Sequence, residues 1–211
     1  SRDPLTGKLR VGLIPTIAPY LLPRVAPRLK TRLPDLQLML YEYQTGPLLE
    51  KLRTGELDLA ILALPADTAG LETRSLFAES FVVAMPRGHR LAARKRLKPA
   101  DLAGETLLLL EDGHCLRDQA LDVCGNVPLA EEQDFRATSL ETLRQMVAAG
   151  LGITLLPRLA AEGPIAAARG LEIRPFAPPS PSRMVGAAWR KSSTREAAIE
   201  AVCKVFASTM N

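Results

Sequence analysis

LRVGLIPTIAPYLLPRVAPRLKTRLPDLQLMLYEYQTGPLLEKLRTGELDLAILALP, residues 9–65, decides the fold. Three short apolar runs alternate with two amphipathic stretches. LRVGLIP (9–15) is apolar, short and closed by proline, which reads as a strand. Residues 19–35 instead repeat Leu22, Val25, Leu29 and Leu33 at helical spacing. LQLMLYEY (36–43) is a second strand, and residues 45–56 form a short helix with Pro47 near its start, where a missing N–H costs little. LDLAILALP (57–65) closes the set as a third strand. The order β-α-β-α-β implies a parallel sheet covered on both faces.

The pattern then restarts. FVVAMP (81–86) is a strand, RGHRLAARKRLK (87–98) a basic connector, and TLLLLE (106–111) a further strand leading into a cysteine segment. DFRAT (134–138) reads as a strand. The helix from Leu140 to Ala149 has Thr138 and Glu141 spaced as a capping box and Gly150 as its stop. ITLLP, a helix near residues 158–168, LEIRPF, the proline-rich 177–182 stretch, RMVGAAWR and a terminal helix over 194–206 complete the chain. GLGITL (150–155) lies after a helix and before a strand, and Leu155 stands where a dinucleotide fingerprint needs its third glycine, so nucleotide binding is not expected.

Composition bounds the rest. A chain of 211 residues with 47% hydrophobic residues buries roughly 70% of its unfolded surface, enough for one large domain or two lobes. No apolar run approaches the roughly 18 residues that span a bilayer, and the SRDPLTGK start lacks a secretory apolar stretch. A cytoplasmic protein without membrane partners is expected. The net charge of +4 concentrates in the 87–98 connector, which has no interleaved aromatics and reads as a solvated surface segment.

Three cysteines are too few for a disulfide scaffold. Cys203 falls among Ile199, Val202 and Phe206 at helical spacing and reads as a small core residue. For Cys115 and Cys124, within EDGHCLRDQALDVC (111–124), a metal site, a structural role and a switch are all open. A zinc site on Cys115, His114 and Cys124 lacks a fourth ligand and a C-x-x-C pair, so no metal is expected. A buried structural cysteine after a strand is the plain alternative. The switch rests on geometry. If Asp112 caps a helix from about Gly113 that ends at Gly125, Cys115 sits in the first turn, where amide dipoles stabilise a thiolate. His114 and Arg117 add positive charge or donors there, and Asp112 and Asp118 oppose them. That helix holds the two Cα atoms roughly 13 Å apart on opposite faces, whereas a disulfide needs about 5.5 Å. A bond between them requires the helix to unwind, and the strain makes such a bond easily reduced.

EDGHCLRDQAL, the second cysteine at Cys124 and FRATSLETLRQMVAAGLGITLLP together resemble the OxyR-type peroxide sensors among the LysR-type transcriptional regulators, and the resemblance runs over essentially the whole chain. It implies an α/β effector domain of two Rossmann-like subdomains joined by crossover strands, periplasmic-binding-protein-like. Residues 1–77 plus 184–211 would form the first subdomain and 78–183 the second, with the family's N-terminal helix-turn-helix domain absent from this chain. It further implies that Cys115 is the peroxidatic and Cys124 the resolving residue of a Cys115–Cys124 disulfide, with Thr16, Thr45, His114, Asp118 and Arg183 binding the peroxide and no cofactor required. The implied partners are hydrogen peroxide, further copies in homodimers and homotetramers, promoter DNA and RNA polymerase through the full-length protein, and glutaredoxin or thioredoxin as reductant. The implied outcome is switched transcription of antioxidant genes. Two other readings share the fold or the thiols: an effector domain binding a small metabolite between its lobes, and a thiol peroxidase. Taken from the residues alone, Thr16 and Thr45 are helix caps, His114 a loop residue and Arg183 a surface charge.

Overall fold

The computed structural model describes residues 3–131, 136–162 and 170–210. The chain divides into two compact units, Ser1–Ala78 with Met184–Asn211, and Glu79–Arg183.

In the first unit, β1 (Gly7–Leu13), β2 (Leu36–Glu42) and β3 (Leu59–Leu64) lie parallel, with α1 (Ala18–Arg32) and α2 (Thr45–Thr54) as the crossovers. This is the β-α-β-α-β order expected from residues 9–65. β1 lies between the other two, and its Leu9, Val11 and Leu13 are buried, as a central strand requires. The buried stripe of α1 is Leu21, Val25 and Leu29, with Leu22 only half-buried. The helix begins at Ala18, and the i, i+4, i+8 row through Leu21 faces the sheet. Pro23 and Pro27 lie inside α1 on its exposed side. β9 (Ser182–Arg190) adds antiparallel to β3, and α6 (Glu196–Ser208) packs on α1.

The second unit is built on β4 (Leu71–Pro86), which carries the chain into it, with β7 (Thr154–Pro157) and β8 (Leu171–Pro175) antiparallel on either side. β4 begins ten residues before the expected Phe81, because residues 71–80 are mostly polar and only partly buried and so lack the apolar run that marks Phe81–Met85. β5 (Thr106–Leu107) pairs with β6 (Ala130–Glu131), and its neighbours join β7 through Leu108 N–H to Ile153 C=O at 2.8 Å. That contact explains Gly152 of the GLGITL stretch, since a Cβ there would lie 2.5 Å from the Thr106 carbonyl oxygen. The basic connector is shaped by two 3-10 turns, Arg90–Ala93 and Pro99–Leu102.

α3 (Cys115–Cys124), α4 (Leu140–Ala148) and α5 (Arg158–Ala161) complete the second unit among the described residues. The cap of α4 is Ser139, whose hydroxyl accepts the Thr142 N–H, so the Thr138–Glu141 box is displaced by one residue. Of the expected 134–138 strand, Ala137 makes one parallel bridge to Leu110, and residues 134–135 lie outside the described residues. Most of the expected 158–168 helix beyond α5 lies outside them as well.

Candidate redox site

The segment that carries the paired cysteines is positioned from both ends. The bridge from Leu110 to Ala137 and the Glu111 N–H to Ala137 C=O bond at 2.9 Å fix the strand end. The chain then turns through Gly113 at φ +97°, a conformation an L side chain resists. This is why α3 starts at Cys115 with His114 as its N-cap, rather than near Gly113 with Asp112 as cap. Asp112 instead pairs with Arg117 Nε at 3.0 Å, and Arg117 Nη1 donates to the Leu110 carbonyl at 3.2 Å. The positive charge expected from Arg117 is thereby committed to tying the loop to the first turn of α3.

His114 is no ordinary loop residue, being only 5% exposed. Burial holds its imidazole below the ordinary value, against the opposing pull of Glu111 and of its hydrogen bond to the Thr138 backbone. Near neutral pH the ring is therefore uncharged, able to donate from one nitrogen and accept at the other. Cys115 follows it, half-buried, at the first helical position, where unpaired amide groups concentrate positive potential. Asp118 lies exposed in the same turn.

Cys124 is the last residue of the same helix. It is 4% exposed, and burial alone pushes its thiol up to about 11, so it is a neutral thiol at physiological pH. Cys203 lies fully buried on α6 among Ile199, Val202 and Phe206, its thiol pushed up to about 12 by burial, in agreement with a core role. All three cysteines are free, and α3 is continuous between the first two. Nine helical steps keep those Cα atoms roughly 13 Å apart. Among the described residues no cluster of three or more His, Cys, Asp or Glu is arranged to hold a metal.

The remaining expected site residues belong to other elements. Thr16 and Thr45 lie in the first unit, each three residues beyond the end of a parallel strand, where Leu13 of β1 and Glu42 of β2 are register partners. Both therefore sit at the carboxyl edge of one sheet, the usual place for ligand contacts in such folds. Neither is a helix cap, since Ile17 and Gln44 hold those positions; Thr16 is buried and Thr45 half-buried. Arg183 is not a surface charge either. It is buried, and its Nε and Nη2 both meet Glu79 Oε1 at 2.9 Å, while the other Glu79 oxygen accepts the Leu159 N–H at 3.0 Å. Glu79 escaped the sequence reading; its one signal is a lone acid beside the apolar run FVVAM.

Two α/β units, one with a parallel sheet whose carboxyl ends are the usual place for ligand contacts, define a ligand-binding type of domain. The chain belongs to the LysR substrate binding domain family, whose model matches residues 2–211. It is 47% identical over 206 residues to the "Probable hydrogen peroxide-inducible genes activator" of Mycobacterium leprae (strain TN), covering 97% of this chain and 66% of that protein. The reduced form of the OxyR regulatory domain from Pseudomonas aeruginosa superposes with a TM-score of 0.90 at 41% identity over 99% of both chains. The oxidised form of OxyR does so with a TM-score of 0.89 at 44% identity, over 99% of this chain and 98% of that one. The chain thus spans about two thirds of the length of the curated relative it matches. Among the described residues no helix is long and apolar enough to cross a membrane.

Proposed function

We propose that this chain is the peroxide-sensing effector domain of a LysR-type transcription regulator, with α3 as its redox switch. The observation that supports this most is the placement of two free thiols at opposite ends of one continuous helix, one at its amino end and one buried and neutral at its carboxyl end. The Cys115 thiolate attacks one oxygen of hydrogen peroxide; an S–O bond forms, the O–O bond breaks, and the departing hydroxide takes a proton to leave as water. The resulting sulfenic acid is attacked at sulfur by Cys124, so that an S–S bond forms, the S–O bond breaks and a second water leaves. Because the bond and the helix are incompatible, oxidation unwinds α3.

Thr16, Thr45, His114, Asp118 and Arg183 are proposed as the residues that hold the peroxide, on the family resemblance. Their hydroxyls, imidazole and guanidinium are the donors that charge developing on the leaving oxygen requires. Homodimers and homotetramers, promoter DNA, RNA polymerase and a glutaredoxin or thioredoxin reductant are proposed for the full-length regulator on the family resemblance, of which the activator name of the Mycobacterium leprae relative supports the action on genes.

The test is peptide mapping by mass spectrometry after one equivalent of peroxide. A Cys115–Cys124 disulfide is expected in the unaltered protein. Cys115→Ser should abolish it, Cys124→Ser should leave a trappable sulfenic acid, and Cys203→Ser should change nothing. Loss of the response in Cys203→Ser alone would sink the assignment. Sustained peroxide turnover with thioredoxin would instead indicate a thiol peroxidase.

A further inference from the structure

We propose that Glu79 is a positioning residue for the peroxide reaction: it holds the Arg183 guanidinium in the one orientation from which Arg183 meets the leaving oxygen. This role depends on the proposed assignment of Arg183 to the peroxide. Glu79, Arg183 and Cys115 all belong to the second unit.

Glu79 lies on β4 and Arg183 on β9, and the two stretches of chain are tied two residues away by Phe81 N–H donating to Pro181 C=O at 2.9 Å. The two side chains are 2% and 1% exposed, so water does not compete for their contacts. Arg183 Nε and Nη2 both donate to Glu79 Oε1 at 2.9 Å, which fixes the edge and the plane of the guanidinium. Glu79 Oε2 accepts the Leu159 N–H at 3.0 Å. Leu159 is the second residue of α5 and is buried, so a third element holds the carboxylate in place for Arg183.

Only an ionised carboxylate of this length does both jobs. A glutamine has a single acceptor oxygen and would turn an N–H toward either Arg183 or Leu159, donor against donor. An aspartate keeps the charge but is one methylene too short to keep both contacts. Stability alone does not call for the pair, since apolar residues of similar volume are often as stable. Orientation does. In the oxidation step the Cys115 thiolate forms the S–O bond as the O–O bond breaks, and the electron pair passes to the leaving oxygen, which departs as hydroxide and takes a proton from water. A donor held ready at that oxygen counts in the transition state, and a misplacement of about 1 Å costs up to about 100-fold.

The test compares two reagents on Cys115 in the Cys124→Ser protein, by timed quenching and mass spectrometry of the Cys115 peptide. Peroxide and iodoacetamide both need the thiolate, so the ratio of their rate constants is independent of thiol ionisation. Only peroxide needs a donor at its leaving atom, because iodide departs unassisted. Glu79→Asp, which retains the charge opposite Arg183, should slow oxidation by peroxide about tenfold or more while iodoacetamide alkylation changes less than about twofold. The uncharged double variant Glu79→Gln with Arg183→Met, which leaves no lone buried charge, should be at least as slow with peroxide. A slow double variant beside Glu79→Asp at the parent rate would overturn the role of Glu79 and leave Arg183 at the peroxide. Equal slowing of both reagents would overturn it too, as general damage to the unit. A double variant at the parent rate would remove Arg183 from the peroxide and the role of Glu79 with it, and a parent Cys115 that resists peroxide would sink the redox reading itself.

Discussion

At the scale of the residue, the three cysteines differ by burial and by position along a helix, and the reactivity proposed for Cys115 rests on that difference. Cys115 has the amino-terminal amides of α3 and partial exposure, while Cys124 and Cys203 are buried and held protonated. Native protein treated briefly with iodoacetamide near neutral pH should be labelled at Cys115 alone, and equal labelling of Cys124 would contradict the packing of α3. His114 sets a pH dependence. Its folded-state value is depressed by burial below the ordinary 6.5, so the unfolded chain binds the proton more readily. Stability is therefore complete above about 6.5 and falls as pH drops below it. Thermal melts of the reduced protein should show this acid slope, and His114→Asn should flatten it.

At the scale of the element, α3 is, in the proposed switch, the component whose folding free energy opposes a Cys115–Cys124 disulfide. Any substitution that weakens the helix without touching the thiols should favour the oxidised form. Leu121 is an exposed residue in its middle. Leu121→Gly costs about 0.8 kcal/mol of helix propensity, which for a two-electron couple lowers the reduction potential by about 15–20 mV. Equilibration against a glutathione redox series measures it, and a shift in the opposite direction would remove α3 from the switch. Gly113 and Gly125 set the limits of this element from either side: the first turns the chain at positive φ ahead of the helix, and the second follows the last residue, Cys124, as C-cap.

At the scale of the whole molecule, Glu79 and Arg183 are the first and last residues of the second unit, and their buried ion pair joins the points where the chain enters and leaves it. Removing one partner leaves an uncompensated buried charge, a loss of about 3–5 kcal/mol. Glu79→Ala should lower the thermal midpoint sharply, and combining it with Arg183→Met should recover most of that loss. If the double variant melts no higher than Glu79→Ala, the pair is not the source of the destabilisation. The same ion pair means that any contact Arg183 makes with peroxide is made by a guanidinium already oriented by Glu79.

Periodicity and segment length were enough to determine the parallel β-α-β-α-β half, the restart of the pattern, the core role of Cys203 and the helix between Cys115 and Cys124, because these depend on local spacing and on where apolar residues recur. Motif resemblance supplied the family and the roles proposed for the thiols. Tertiary structure alone decided the rest. No local signal in the sequence says that Ser139 rather than Thr138 caps α4, that Arg117 ties down the loop before α3, or that Arg183 is buried on Glu79. Each of these depends on a partner distant in the chain or on a backbone angle set by packing, and neither is visible until the strands have been brought together.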